Sequence, residues 1–318
     1  GNNWIQISCG YGNSAAIKAD GTLWLWGYNL YGSLGDGTTI GKSSPVQTLC
    51  AGTDWQQVSC GDNATAAIKT DGTLWGWGDN TYGQLGQNDV TLRSSPVQVG
   101  TNSWTSISAS LTGHVLGILS TGALYAWGDN TAGELGNNST TSTTSPVSIS
   151  AGNVVFGNGN LLSPLQIGSS SWSAVAAGPF ATLALRSDKS LFGWGRNQYG
   201  QLGDVTNTNR SSPVQIGTSS WTQVSSGNRA TGAVRTDGAL FTWGSNTYGT
   251  LGVPLTWTSA VAGTSFTMAL RSDNSLWTWG FNSVGQLGLN DSVNRSSPVQ
   301  VGTSSWTGIS AGASHATA

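Results

Sequence analysis

The phrase Leu-aromatic-x-Trp-Gly returns six times, at Leu23 to Gly27, Leu74 to Gly78, Leu124 to Gly128, Leu191 to Gly195, Leu240 to Gly244 and Leu276 to Gly280. A second phrase alternates with it. Trp4-Ile5-Gln6-Ile7-Ser8 is echoed by segments opening at Trp55, Trp104, Trp172, Trp221, Trp257 and Trp306. These seven tryptophans are separated by 51, 49, 68, 49, 36 and 49 residues. A period near 50 marks a repeat architecture, in which each unit buries its faces only against its neighbours. The period also aligns the chain with itself, so that slots kept alike can be told from slots that vary.

Within one copy, Gln57-Val58-Ser59 and Thr65 to Lys69 read as short strands, and Asp71-Gly72 as a hairpin turn that accommodates positive φ. Leu74 to Trp77 is a third strand. Ser95 to Val99 is a fourth, placed at an edge because Pro96 has no N–H for a ladder. Four short strands joined by Gly-rich turns describe a propeller blade, which makes the chain all-β. Side chains of the third strand alternate between faces, so Leu74 and Gly76 share one face and Trp75 and Trp77 the other. The tryptophans are therefore read as packing between blades.

The phrases Asp71-Gly72-Thr73-Leu74-Trp75, Trp77-Gly78-Asp79-Asn80 and Tyr82-Gly83-Gln84-Leu85-Gly86 resemble the repeat of the regulator of chromosome condensation family. The resemblance extends over essentially the whole chain. It implies a β-propeller, usually of seven blades, in a family that includes guanine-nucleotide exchange factors, ubiquitin-ligase modules and a secreted β-lactamase inhibitor. A fold shared by such different proteins leaves function open. One propeller over residues 1–318 is expected, with repeats at about 4–54, 55–103, 104–171, 172–220, 221–256 and 257–305 and a partial one at 306–318. Seven blades with an incomplete last one is the preferred count, and six is the alternative. The third copy is longer by an apolar insertion around residues 145–166, read as an extra paired strand or a contact with another chain. The fifth is short and should have an abbreviated outer strand.

Composition removes several function classes. Charged residues make up 8% of the chain and the net charge is -2, which provides no electrostatic footprint for nucleic acid or an anionic membrane. Sixteen tryptophans supply ample core, and no run of apolar residues approaches the length of a membrane helix. The chain opens at Gly1 without Met or a signal-like segment, so a processed or trimmed terminus is expected. Cys9 and Cys60 share a slot that later copies fill with Ala or Ser, which points to small packing groups. Cys50 stands alone in a loop between repeats.

If the chain runs up the first strand, the first turn and the loop after each Trp-Gly lie on one face, and the Asp-Gly hairpins lie on the other. The hairpins stay nearly constant: Asp20-Gly21, Asp71-Gly72, Thr121-Gly122, Asp188-Lys189, Asp237-Gly238 and Asp273-Asn274. The other face varies. Its first turns bring Tyr11, Asn13, Asp62, His114, Phe180, Arg229, Phe266 and His315, and the slot after Trp-Gly brings Tyr28, Asp79, Asp129, Arg196 and Phe281. Aromatic, cationic, anionic and imidazole groups on one surface suit a binding patch, and these thirteen residues are the candidate partner-binding set. Exposed loops also drift when nothing constrains them.

Enzyme chemistry finds little foothold. Gly308-Ile309-Ser310-Ala311-Gly312 spells a nucleophile elbow but lies in a repeated strand, without the strand-to-helix turn that motif needs. The two histidines occupy the slot in which the resembled family often carries a structural His, and most copies here lack it. Asp79 and Asp129, in one slot of adjacent copies, are read as solvated loop residues rather than an acid–base pair. No catalytic residue, metal ligand or cofactor is assigned. The leading reading is a non-enzymatic recognition scaffold that grips a protein or glycan through its varied face. A structural or adhesive part of a cell surface, appendage or virion, assembled with other chains, is the second reading, and it carries a lean towards the cell exterior. A guanine-nucleotide exchange factor for a small GTPase, implied by the resemblance, is the third.

Overall fold

A computed structural model describes residues 3–137, 140, 161–167, 170–247, 251 and 257–318. Each blade is an antiparallel meander whose strands run outward in chain order. In blade 2 these are Trp55–Cys60, Ala64–Lys69, Leu74–Gly78 and Arg93–Gln98, with the Pro96 strand outermost as its missing N–H requires. Blades 1, 3, 4 and 6 repeat the pattern from inner strands Trp4–Cys9, Trp104–Ala109, Trp172–Ala177 and Trp257–Ala262. Blade 5, from Trp221–Ser226, has three strands among the described residues. The fourth strand of blade 3 is Leu161–Ile167, the second half of the insertion. The rest of the insertion, and most of the short stretch in blade 5, lie outside the described residues.

The all-β propeller is as expected, but the preferred count of seven blades is corrected. Six blades are built, matching the alternative. The seventh position holds a ribbon of two two-residue strands, Ser310–Ala311 and Ala316–Thr317, between blades 6 and 1. Strands this short bury too little surface to form a blade of their own.

Two features of the repeated phrases explain the ring. Each inner strand is bulged just after its leading Trp in all six blades, as between Trp55 and Gln57. In blades 2 to 6 that Trp packs at a steep angle against both aromatics of its own third strand: Trp55 lies 6.3 Å from Trp75 and 6.1 Å from Trp77. The cluster then meets the aliphatic face of the preceding blade, where Leu23, Leu25 and Leu34 are fully buried.

Hydrogen bonds lock the same seam. Trp77 Nε1–H donates to the Ser33 carbonyl of blade 1 at 2.8 Å, and Trp127, Trp194 and Trp243 repeat this against Gln84, Glu134 and Gln201. A Cβ on Gly35 would sit 2.7 Å from the Trp77 indole nitrogen, and Gly136 and Gly203 approach Trp194 and Trp243 in the same way, so the Leu-Gly ending of these loops makes room for the next blade. Around the axis, Ser8, Ser59, Ser108 and Ser225 accept from backbone N–H groups one blade on, at 2.9–3.1 Å. Ser310 does the same for Cys9 at 3.0 Å, and so joins the two ends of the ring. Cys9 and Cys60 are buried beside this axis and unpaired, and burial pushes the Cys60 thiol up to about 12. No helix among the described residues is long and apolar enough to cross a membrane.

Candidate functional site

The register places the two variable segments together. Asn13 pairs with Gly27, so the first turn and the residue after Trp-Gly leave the sheet side by side, and Tyr28 N–H donates to the Gly12 carbonyl at 2.8 Å. The Asp-Gly hairpins lie at the opposite end. Their sameness has a mechanical cause: Asp71 Oδ1 accepts from the Thr73 N–H and hydroxyl, Thr73 Oγ1 accepts from Trp75 Nε1–H, and the Gly72 carbonyl accepts from Trp104 N–H of the next repeat.

On the variable face, Tyr11, Tyr28 and Arg229 are exposed, and Asp62, Asp79, Phe180, Arg196, Phe281 and His315 are half-buried. Asn13, His114 and Phe266 require correction as contact groups. Each opens a second strand and turns inward, with 2%, 0% and 1% of its surface exposed. Asn13 reaches Thr65 of blade 2, and Phe266 packs among Met268, Leu270 and Leu287. His114 Nε2 lies 3.2 Å from Thr182 Oγ1 of blade 4, and burial drives its pKa down to about 3, keeping the ring neutral. Asp129 is also largely enclosed, at 6% exposure. These groups carry the loops that present the others.

Three local assemblies remain at the surface. Tyr28 and Tyr31 are ring neighbours at 6.5 Å. Arg196 lies 5.0 Å from the Phe180 ring, and Arg229 of blade 5 lies 4.7 Å from the Tyr199 ring of blade 4. Beside them, blades 2, 3 and 4 enclose a pocket of about 380 Å³ walled by Asp62, Asp79, Asp129, Tyr82, His114 and Phe180. Burial raises the carboxyl pKa values of Asp62 and Asp129, and Asp79 adds to the effect at Asp62. Glu134 lies behind Asp129 with 0% exposure. Burial, with the nearby Asp129, holds its carboxyl up at about 7.

Sequence reasoning missed Tyr31, Tyr82, Tyr199 and Glu134. All four belong to the Tyr-Gly-x-Leu-Gly segment, opened by Ala132 in blade 3, which entered the sequence reading only through the family resemblance. The signal that was available is Glu134 itself, the one acid in a slot filled by Gln84, Gln201 and Gln286 in sister blades. No group of three or more His, Cys, Asp or Glu side chains among the described residues is placed to hold a metal ion.

Comparison with known proteins agrees with this architecture. The ultraviolet-B receptor UVR8 of Arabidopsis thaliana is 31% identical over 208 residues, covering 64% of this chain and 44% of that protein. The probable E3 ubiquitin-protein ligase HERC4 of Homo sapiens is 37% identical over 94 residues, which is 29% of this chain and 9% of that protein. The matches thus span less than half the length of either relative. Among solved structures, human WBSCR16 superposes with a TM-score of 0.83 at 22% identity, covering 99% of this chain and 85% of that one. Prp20p from Saccharomyces cerevisiae, described with its binding properties to Gsp1p and histones, gives 0.81 at 19%, covering 98% and 80%. At these identities the likeness is one of fold. The model of the RCC1-like domain matches residues 1–318. With its repeated phrases, its stitched blades and a family match from end to end, the chain belongs to the RCC1-like domain family.

Proposed function

We propose that this propeller acts by recognition rather than by catalysis, docking a protein partner on its variable loop face. The observation that carries this reading is the gathering of side chains there. Tyr11, Tyr28, Tyr31, Tyr82 and Tyr199 are each at least 36% exposed. Two arginines lie over aromatic rings of the same face. Tyr and Arg are the residue types that concentrate binding energy at interfaces, because each combines a large apolar area with directional donors. The family contributes the precedent of propellers joined to very different activities: a receptor in one relative and a ubiquitin ligase in another. The likeness to Prp20p is one of fold and does not carry nucleotide exchange to this chain.

The test is affinity capture from the native source with the intact propeller as bait. A Tyr11→Ala/Tyr199→Ala/Arg229→Ala variant should lose its specific partner at least tenfold while keeping its thermal midpoint. A control carrying Asn102→Ala and Ser220→Ala, exposed near the hairpin end, should retain the partner. Equal capture by all three proteins would overturn the loop face as the docking surface.

A further inference from the structure

The pocket between blades 2, 3 and 4 contains charge that the protein does not neutralise. Seven ion pairs occur among the described residues, and none uses Asp62, Asp79, Asp129 or Glu134. Arg196, on the same face, lies over Phe180 and donates to Gln198 Oε1 instead. Acids with no counter-charge in a half-enclosed site raise one another's cost, so a cation entering from outside gains more than it would in water.

The hydrogen-bond inventory points to the same ligand. Thr182 Oγ1 donates its proton to the Glu134 carbonyl at 2.9 Å, so at 3.2 Å it can only accept from His114 Nε2–H. That fixes the tautomer and leaves His114 Nδ1 a bare acceptor. It is fully buried and has no partner, and its residue lines the pocket. Glu134 Oε1 is a second buried oxygen without a hydrogen-bond partner, behind the pocket and beside Asp129. The unmet demand at His114 Nδ1 is thus for an N–H donor. The pocket's volume, about 380 Å³, lies within the roughly 300–1,000 Å³ of small-ligand clefts. Tyr82 and Phe180 offer aromatic walls to an alkyl stem.

We propose that this pocket receives one protonated side chain of the docked protein, a lysine ammonium or an arginine guanidinium, seated among Asp62, Asp79 and Asp129. The proposal rests on the docking reading and names the chemistry recognised there. The amides of Ser110 to His114 and of Asp129, followed by NMR, report on the pocket directly. N-acetyl-lysine methylamide and N-acetyl-arginine methylamide are the probes, titrated beside their neutral counterparts, the acetylated lysine and the citrulline compound.

At least one cationic probe should shift these amides saturably, with a dissociation constant on the order of 1 mM. Whichever of the two binds more tightly identifies the side chain. The neutral probes, and the cation on an Asp79→Asn/Asp129→Asn variant with an unchanged near-ultraviolet spectrum, should bind at least tenfold more weakly. Equal shifts by neutral probes, an unaffected variant, or no saturable shift by either cation would overturn the proposal. In the capture experiment, full retention of the partner by Asp79→Asn/Asp129→Asn alongside its loss by the Tyr11/Tyr199/Arg229 variant would remove this pocket from recognition and leave the docking face intact.

Discussion

Glu134 fills the slot that Gln84 fills one blade earlier, and the two side chains begin alike. Gln84 Oε1 accepts from Tyr82 N–H at 2.9 Å, and Glu134 Oε2 accepts from Ala132 N–H at 2.7 Å. They part at the second terminal atom. Gln84 Nε2–H donates to Asp79 Oδ2 at 3.0 Å, whereas an ionised Glu134 has no proton to offer Asp129. The native state therefore binds a proton at Glu134 more tightly than the unfolded chain does, with a pKa of about 7 against the ordinary 4.5. Its stability contribution is complete below the unfolded value and is lost as pH rises through 7. Glu134→Gln, permanently neutral and able to donate, should exceed the parent by roughly 1–3 kcal/mol at pH 8. The two proteins should match near pH 4.5, because His114 titrates identically in both and cancels. Urea midpoints measured across that range check the sign. At this scale the sequence was least legible. Asn13, His114 and Phe266 stand at the ends of turns, where a one-residue difference in the start of a strand decides whether a side chain faces solvent or core. Spacing alone does not settle that residue.

At the scale of the blade, the internal alignment was more informative. The second aromatic of the third strand is Trp in all six copies, whereas the first is Trp, Tyr or Phe. The seam explains the difference. Trp77 Nε1–H reaches across to the Ser33 carbonyl, but Trp75 Nε1–H bonds only Thr73 within its own hairpin. Trp77→Phe should therefore cost about 1–3 kcal/mol, the loss of a buried hydrogen bond together with indole packing. Trp75→Phe, a residue already present at Phe192 and Phe241, should cost less than about 1 kcal/mol. Chemical denaturation of both variants tests the ranking, and equal costs would contradict it. The hairpin relay from Asp71 through Thr73 to Trp75 was visible as a phrase. The donation by the next repeat's Trp N–H to the hairpin carbonyl was not, because it joins backbone atoms that carry no side-chain signature.

For the whole molecule, the unresolved question was closure. The Ser310 bond to Cys9 N–H continues around the axis the pattern that Ser8, Ser59, Ser108 and Ser225 set, while Ala176 and Val261 occupy the same slot without it. The seam at the seventh position is still the least covered. Trp4 is 40% exposed where its counterparts in blades 2 to 6 are at most 7%, and Trp4 and Trp26 border an apolar groove of about 500 Å³. With few other contacts across this seam, Ser310→Ala should lower global stability by about 1 kcal/mol. It should also speed hydrogen exchange at the Cys9 amide well beyond the change at Cys60, whose donor bond to Ser8 is untouched. Exchange that rises equally at both sites would show that the seam does not open independently.

The repeat period, the alternation of aromatic and small residues and the Asp-Gly turns determined a ring of antiparallel blades. Each of these is a local pattern, and a blade's strands are neighbours in the chain. Folding alone decided which loop residues meet. Asp62, Asp79, Asp129 and Phe180 come from three blades, and they share one pocket only because the Trp-to-carbonyl bonds set the angle between successive sheets. The cost of placing carboxylates there without a counter-charge depends on depth and neighbours, which are properties of the assembled ring rather than of any one repeat.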